Sequence, residues 1–245
     1  MAKKKLTVRP LQICQMEGIQ AVMTYLVGFD KEMKAGAYMF FIEGADKAIL
    51  VDTSGSAESL KAAGFSATQI ASPEEALSKL GLTCDDIDIV IFTHLHFDHV
   101  EYAPKFKKAK FICQSAELRE ALHPHPGIGS ILYWPHLYQD LKFVTITGDQ
   151  EISDGIRVML TPGHSPGGQT VLVETEKGIA AITGLCSIME NYFPPEPYDK
   201  LMGVITPGIH DNPQEAIESV NMIKHVADII VPIHDIKWST VNSIP

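Results

Sequence analysis

A short apolar strand that runs directly into a cluster of potential metal ligands constrains this chain more than any other feature. The run Ile89 to Phe92 is continuously apolar and mostly β-branched, which is typical of a buried strand. The next segment, Thr93 to His99, contains four potential metal ligands: His94, His96, Asp98 and His99. Unpaired polar groups at the end of a buried strand are costly. The fold must therefore bury the strand and give these side chains a common partner.

The overall composition is that of an ordinary globular protein. Of the 245 residues, 45% are apolar and 20% are charged, which differs from the composition of disordered chains. A chain of this length buries a substantial core as one domain. We expect a single domain over residues 1–245 that folds without a partner, and a homodimer stays open.

Charge and apolar patterning exclude two classes of partner. The formal net charge is −10, and the only run of three consecutive basic residues, Lys3 to Lys5, is expected to be a solvated tail, which argues against nucleic acid. The apolar runs Ala35 to Ile42 and Ile89 to Phe92 are far shorter than the ~20 residues of a membrane span. No secretory leader pattern follows the basic N-terminus. We expect a cytoplasmic protein with a small-molecule substrate.

Turn and cap residues predict the elements that precede the ligand cluster. Two apolar runs, Tyr38 to Glu43 and Ala48 to Asp52, flank a turn that contains Gly and Asp, and predict a β-hairpin. Ser72, followed by a proline and then by Glu75, predicts a helix N-terminus, and Gly81 closes that segment.

The second half of the chain repeats the order of strands followed by a helix. Strands are predicted near Lys142 to Ile146, Ile156 to Leu160, Thr170 to Glu174, Ile179 to Thr183 and Asp228 to Val231, with a helix opened by Asn212 and Pro213. This repetition predicts an α/β fold of four layers, two packed sheets with helices outside. Residues 123–140, rich in Pro, Gly and aromatics, are expected to form a loop over the site.

The spacing of the ligand cluster suits two cations. Residues two apart in an extended loop project to the same side, so His94 and His96 face one cation while Asp98 and His99 face another direction. Two more histidines follow predicted strands: His164 and His234. Together these residues suffice for two open sites of about three ligands each. Imidazole and carboxylate favour two divalent ions such as zinc, with manganese or iron open.

Four motifs resemble those of the metallo-β-lactamase fold family, and they occur in that family's order: Leu50 to Thr53, Thr93 to His99, Thr161 to Gly168 and Pro232 to Asp235. The resemblance covers roughly residues 36–236 and implies an αββα sandwich, with residues 1–35 as an N-terminal extension. It implies a first metal held by His94, His96 and His164, a second held by Asp98, His99 and His234, and Asp52 orienting ligands. The segments His94 to His99 and Cys113 to Glu117 also resemble the N-acyl homoserine lactonase group.

The chain departs from the family pattern after the strand that ends at Thr183. Where the family has a metal-bridging aspartate, this chain has Leu185 and Cys186. Leucine cannot ligate, so either the bridge is missing or Cys186 replaces it as a metal ligand, and a buried packing role for Cys186 stays open. The lactonases carry a tyrosine three residues further, where this chain has Ile188 or Met189, and Tyr192 is a possible substitute that lies too far along the chain to be carried over.

These features predict a metal-dependent hydrolase that cleaves a lactone, ester or amide bond by attack of a metal-bound hydroxide, with Asp98 as the catalytic proton carrier. The middle segment offers apolar residues that line a substrate pocket or, equally, pack under a loop: Ile128, Ile131, Tyr133 and Trp134. The alternative function is an iron-dependent oxidoreductase of the persulfide dioxygenase kind on the same fold.

Overall fold

Two mixed sheets form the centre of the protein, in a computed structural model that describes residues 5–127 and 131–245. The first sheet consists of β1 (Thr7–Ile19), β2 (Glu32–Glu43), β3 (Ile49–Val51), β4 (Ser66–Gln69), β5 (Ile89–Ile91), β6 (Lys110–Gln114) and β7 (Phe143–Ile146). Its order is β4-β1-β2-β3-β5-β6-β7. Pairing is antiparallel from β4 to β3 and parallel from β3 to β7.

The second sheet is smaller and nearly all antiparallel. It consists of β8 (Gln150–Ser153), β9 (Ile156–Leu160), β10 (Gln169–Thr175), β11 (Gly178–Ile182) and β12 (Ile229–Val231), in the order β12-β11-β10-β9-β8. Only β11 and β12 pair in parallel.

Helices cover the outer faces of both sheets. They are α1 (Ala57–Ala62), α2 (Pro73–Ser78), α3 (Phe97–Val100), α4 (Ser115–Leu122), α5 (Met189–Tyr192) and α6 (Pro213–Val226). Residues of α1 to α4 share an apolar cluster with the first sheet, whereas α5 and α6 share another with the second sheet. A third cluster lies between the sheets. These layers confirm the predicted four-layer α/β fold.

Alternation along buried strands explains the apolar runs of the sequence. In β5, Ile89 and Ile91 point into the cluster between the sheets, and Val90 points to the cluster under the helices. Each fully buried side chain of this size contributes roughly 1.5 to 3 kcal/mol, so both faces favour apolar residues. A strand buried on both faces therefore reads as an unbroken apolar run.

The hairpin and the capped helix lie where they were predicted. β2 pairs with β3 in antiparallel register, Phe40 opposite Val51. Ser72 accepts a hydrogen bond from the Glu75 amide, and the Glu75 carboxylate accepts one from the Ser72 amide, which completes a capping box at α2. The segment expected as a loop joins α4 to β7, and its described parts, 123–127 and 131–140, contain little regular structure beyond the short turn Pro135–Leu137. Ile128 lies outside the described residues.

The segment expected as an N-terminal extension supplies a strand of the first sheet. β1 pairs with β2 over most of its length and with β4 on its other edge. Its register shifts between Gln12 and Cys14, which breaks the alternation that would have marked it as a strand. Lys5 pairs with Glu176 at the surface, while the rest of the basic run lies outside the described residues. Among the described residues, no helix is both long and apolar enough to cross a membrane.

The topology collects the ligand-bearing loops at one edge. β3 and β5 run parallel in the first sheet, and β9, β11 and β12 run in one direction in the second. The residues of interest follow the carboxyl ends of these strands: Asp52 after β3, His94 to His99 after β5, His164 after β9, Cys186 after β11 and His234 after β12. Side chains from distant parts of the sequence therefore meet at this edge.

Candidate metal centre

Six side chains converge in two groups at this edge. The first group is His94, His96 and His164, and the second group is Asp98, His99 and His234. Within each group the potential ligand atoms all lie within 4.8 Å of one another. The two groups adjoin, because the rings of His94 and His99 have centroids 4.0 Å apart. The structure thus brings together the two sets that the family resemblance implied.

One nitrogen in the second group lacks any partner. His99 Nε2 is buried and has no hydrogen-bond partner among the described residues. The nearest oxygen of Asp98 lies 3.5 Å from it and 3.8 Å from His234 Nε2. A buried, unpaired imidazole nitrogen is costly unless a cation takes its lone pair. The residues of this group fit a divalent metal ion.

Hydrogen bonds occupy the Nδ1 atoms of His164 and His234, and this sets which nitrogen of each ring faces the centre. His164 Nδ1 lies 2.7 Å from the carbonyl oxygen of Ile209, and His234 Nδ1 lies 3.0 Å from that of Gly36. A carbonyl only accepts, so each Nδ1 donates its proton and each Nε2 keeps a lone pair. His164 Nε2 then lies 3.1 Å from His94 Nε2, a convergence that also fits a cation.

Asp52 links the loops that carry the two groups. Its carboxylate accepts hydrogen bonds from the Thr93 amide and hydroxyl, both at 2.7 Å, and lies 2.8 Å from His99 Nδ1. Thr93 Oγ1 is in turn 3.0 Å from His94 Nδ1. The backbone of Asp52 has a φ of 57°, an unusual conformation for a residue with a side chain. Asp52 thus contacts His99 directly and His94 through Thr93, which are contacts that a ligand-orienting residue would make.

Burial keeps the first group neutral. It lowers the pKa of His94 and His96 well below the usual value, and the neighbouring imidazoles add to this effect. Burial likewise lowers the pKa of His164 to about 3. Imidazoles that stay neutral at physiological pH have lone pairs available for a metal.

The second group has a different charge balance. Burial alone would lower the pKa of His99, but Asp98 and Asp52 outweigh it, and the pKa is raised. Burial lowers the pKa of His234. The negative charge next to His99 compensates a cation, protons or metal, at this position.

A mainly apolar cavity opens onto both groups. Its empty space, including the part open to solvent, is about 380 Å³. Besides the six ligands it is lined by Met16, Val22, Met23, Phe65, Phe97, Leu132, Cys186 and Ile209. Most of these residues were not identified from the sequence. Met16 belongs to β1, and Val22 and Met23, which lie a few residues after that strand, belong to no recognisable motif.

Cys186 lines this cavity but belongs to neither ligand group. Its sulfur lies 3.4 Å from the sulfur of Met23, and burial, with a smaller effect of Asp98, raises the pKa of the thiol. Leu185 points the other way, into the cluster under α6. Of the two residues present where the family pattern has its bridging aspartate, Leu185 therefore packs in the core and Cys186 faces the centre.

The aromatic residues expected in the pocket form a layer behind it. Tyr133 is buried with its ring 4.6 Å from that of His96, and Trp134 stacks on Phe97 at 4.4 Å. Tyr192 is placed elsewhere: it is fully buried in the cluster under α6, with its hydroxyl 3.3 Å from that of Ser187. It lies outside the cavity lining because α5 turns its side chain towards the core.

Comparison with known proteins identifies a family. The family model described as the Metallo-beta-lactamase superfamily matches residues 35–224. An N-acyl homoserine lactonase of Bacillus thuringiensis is 32% identical over 166 residues, which are 66% of this chain and 61% of that protein. The match thus spans less than two thirds of that relative's length.

Two solved structures are similar over nearly their whole length. One is a B. thuringiensis AiiA variant with N-decanoyl-L-homoserine bound at the active site, 25% identical with a TM-score of 0.72 over 98% of this chain and 96% of that chain. The other is an N-acyl homoserine lactone hydrolase with the product N-hexanoyl-L-homoserine bound at the catalytic metal center, 27% identical with a TM-score of 0.70 over the same shares.

Gly163 provides a test of how the His164 loop is held. Its φ is +115°, and an added Cβ would lie 2.1 Å from the amide nitrogen of Ala216 in α6. Gly64 also has a positive φ, +95°, but has open space around it. We expect Gly163→Ala to lower the free energy of unfolding by about 1 to 3 kcal/mol more than Gly64→Ala, and to lose metal from the first group. Denaturant titration and metal analysis measure both effects, and equal losses would contradict this account.

The stability of the metal-free protein should fall in acid. The pKa values of His94, His96 and His164 are lowered in the folded state, so below about pH 6.5 the unfolded chain binds more protons. The raised pKa of His99 offsets part of this effect. We expect the thermal midpoint to fall from pH 8 to pH 5, and His164→Gln to reduce that fall. Changing the exposed His225 to Gln is the matched control, and a midpoint that rises in acid would refute the assignment.

Proposed function

Since this chain belongs to the metallo-beta-lactamase superfamily, we propose that it is a metal-dependent hydrolase that cleaves a lactone, ester or amide bond of a small molecule. One observation carries the proposal: two three-residue ligand groups lie side by side at the base of an apolar cavity. Lactones are the first substrate class to consider, because the relatives above are N-acyl homoserine lactonases.

Two divalent cations are the cofactors that this site would hold, and we propose zinc for both. His94, His96 and His164 would hold one, and Asp98, His99 and His234 the other. When bound, such a pair brings the pKa of a water to about 7 and polarises the scissile carbonyl. Nitrogen-rich sites favour zinc, and manganese and iron are the alternatives.

The chain's own groups position the reaction. Three of the imidazoles are held in place, because the Nδ1 atoms of His99, His164 and His234 are hydrogen-bonded to Asp52 or to a backbone carbonyl. Asp98 is the only carboxylate in the two groups, and its side chain is 13% exposed at the cavity. Its Oδ atoms are therefore placed to carry a proton to the oxygen that leaves the carbonyl.

The apolar lining selects the rest of the substrate. Methionine and aliphatic side chains surround the ligand groups, and Phe65 and Phe97 add aromatic surface. Such walls exclude water and favour a hydrophobic acyl or ring group beside the reacting carbonyl. An iron-dependent oxidoreductase on this fold is not favoured, because the relatives reported above are hydrolases.

Cys186 is proposed as a further metal contact in place of the aspartate that the family pattern has next to it. Its side chain lines the cavity with the six ligands, and a thiolate at a metal favours zinc. All four cysteines are unpaired, which is consistent with the reducing cytoplasm that we propose as its compartment.

Hydrolysis and its dependence on metal test the main proposal. We expect the zinc-loaded protein to open N-acyl homoserine lactones, with kcat/KM rising by up to roughly fourfold for each added CH₂ that the cavity buries. Chelation should abolish turnover and zinc should restore it. Matched linear esters and amides are the comparison substrates. Turnover of lactones and esters is followed by the proton released, and turnover of amides by the amine formed, since amide hydrolysis releases no net proton near neutral pH. If the metal-loaded protein cleaves none of the three classes, the proposal fails.

Replacing Cys186 tests its contact with metal. We expect Cys186→Ser to weaken zinc binding at least tenfold and to lower turnover, because serine is a poorer zinc ligand than a thiolate. Cys84→Ser is the control, since Cys84 is also an unpaired thiol but lies outside the cavity lining. Zinc content by elemental analysis and turnover are compared in both variants. Unchanged values in Cys186→Ser would show that Cys186 only packs.

A further inference from the structure

Glu117 is a fully buried carboxylate whose two oxygens are both saturated by hydrogen bonds. It lies in the first turn of α4. One oxygen accepts from the Leu95 amide and the Tyr133 hydroxyl, both at 2.8 Å. The other accepts from the Ser165 hydroxyl at 2.8 Å and the Gly167 amide at 3.1 Å. One side chain thus binds three separate segments of the chain.

The four donors share one property: each belongs to a segment that carries or supports a ligand of the first group. Leu95 lies between His94 and His96. Ser165 and Gly167 follow His164, in the loop that ends at the start of β10. The ring of Tyr133 packs against that of His96.

The second group is held by other residues. His99 is bound by Asp52, and His234 by the carbonyl of Gly36. The Glu101 carboxylate accepts from the Ser56 amide at 2.7 Å and so holds the loop after β3 against the segment that follows α3. Glu117 is absent from these contacts, so its hydrogen bonds fall on one side of the centre.

The backbone is shaped to allow these contacts. An added Cβ on Gly167 would lie 2.2 Å from the amide nitrogen of Glu117, so the loop touches α4 directly. Burying a carboxylate costs several kcal/mol unless hydrogen bonds compensate, and here four do. An apolar side chain would fill the same space without orienting the loops.

We propose that Glu117 is the positioning residue of the first metal group: its hydrogen bonds fix the loops of His94, His96 and His164 so that their free nitrogens converge on one cation. The inference rests on the metal binding of the proposed function and is independent of its substrate. It requires that loss of the carboxylate weaken metal binding by the first group and leave metal binding by the second group nearly unchanged.

Single-site backgrounds make that selectivity measurable. His234→Ala removes a ligand from the second group and leaves the first complete, and His164→Ala does the reverse. Glu117→Gln is added to each, because glutamine keeps the size but turns an NH₂ towards donors. Zinc affinity is measured by competition with a chromophoric chelator, and the cobalt-substituted proteins give visible spectra.

We expect Glu117→Gln to weaken zinc binding by about 10- to 100-fold in the His234→Ala background and by less than twofold in the His164→Ala background. The cobalt spectrum should change only in the first. Equal losses of zinc affinity in both backgrounds, or no loss in either, would overturn the proposal. Selective weakening in a protein that hydrolyses no lactone, ester or amide would support it while the proposed function failed.

Tyr133→Phe keeps the proposal testable if Glu117→Gln does not fold. It removes one of the four donors and keeps the ring against His96. We expect a smaller loss of zinc affinity than for Glu117→Gln, and again a larger loss in the His234→Ala background than in the His164→Ala background. Glu101→Gln is the matched control on the opposite side, and a preference for the first group in that variant would also overturn the proposal.

Discussion

The convergence of five buried imidazoles and one carboxylate, with His99 Nε2 left without a partner among the described residues, is the constraint on which the rest of this structure depends. Burial strips these groups of water and keeps most of the imidazoles uncharged. Such an arrangement is unfavourable by itself, because aligned lone pairs repel and unpaired polar atoms are costly. A bound cation turns the same arrangement into a favourable one. The fold therefore carries a local cost that a metal removes.

The two-sheet architecture makes this convergence possible. Strands that run in the same direction end at one edge, so short loops from both sheets deliver ligands to one place. The strands themselves are buried on both faces and anchor the loops. Asp52 and Glu117 then bind these loops to each other. Both carboxylates accept hydrogen bonds from backbone amides and side chains of the segments that carry the metal ligands. Stability of the core and geometry of the site are thus joined through two carboxylates.

Sequence patterns predicted the features that are encoded within a few neighbouring residues. They missed the features that depend on contacts between residues far apart in the chain. The apolar run before His94, the hairpin ending at Asp52 and the capping box at Ser72 are each encoded within a few residues, and all were found. β1 was not recognised, because its register shift interrupts the alternation and its partners lie far along the chain. The cavity walls were missed with it, since Met16 carries no signal of its own. Tyr192 was misplaced because its spacing from Cys186 says nothing about which face α5 buries.

The asymmetry between the two ligand groups follows from these same contacts. The first group consists of three neutral imidazoles supported by Glu117, and Asp52 reaches it through Thr93. The second group contains Asp98, and Asp52 binds its His99 directly. After β11, Leu185 packs in the core and Cys186 lines the cavity, so the described residues that follow this strand place no carboxylate between the groups. Any coupling between two cations must then pass through Cys186, through Asp98 or through water. The centre is therefore supported unevenly: Glu117 binds only segments of the first group, whereas Asp52 binds His99 directly and reaches His94 through Thr93.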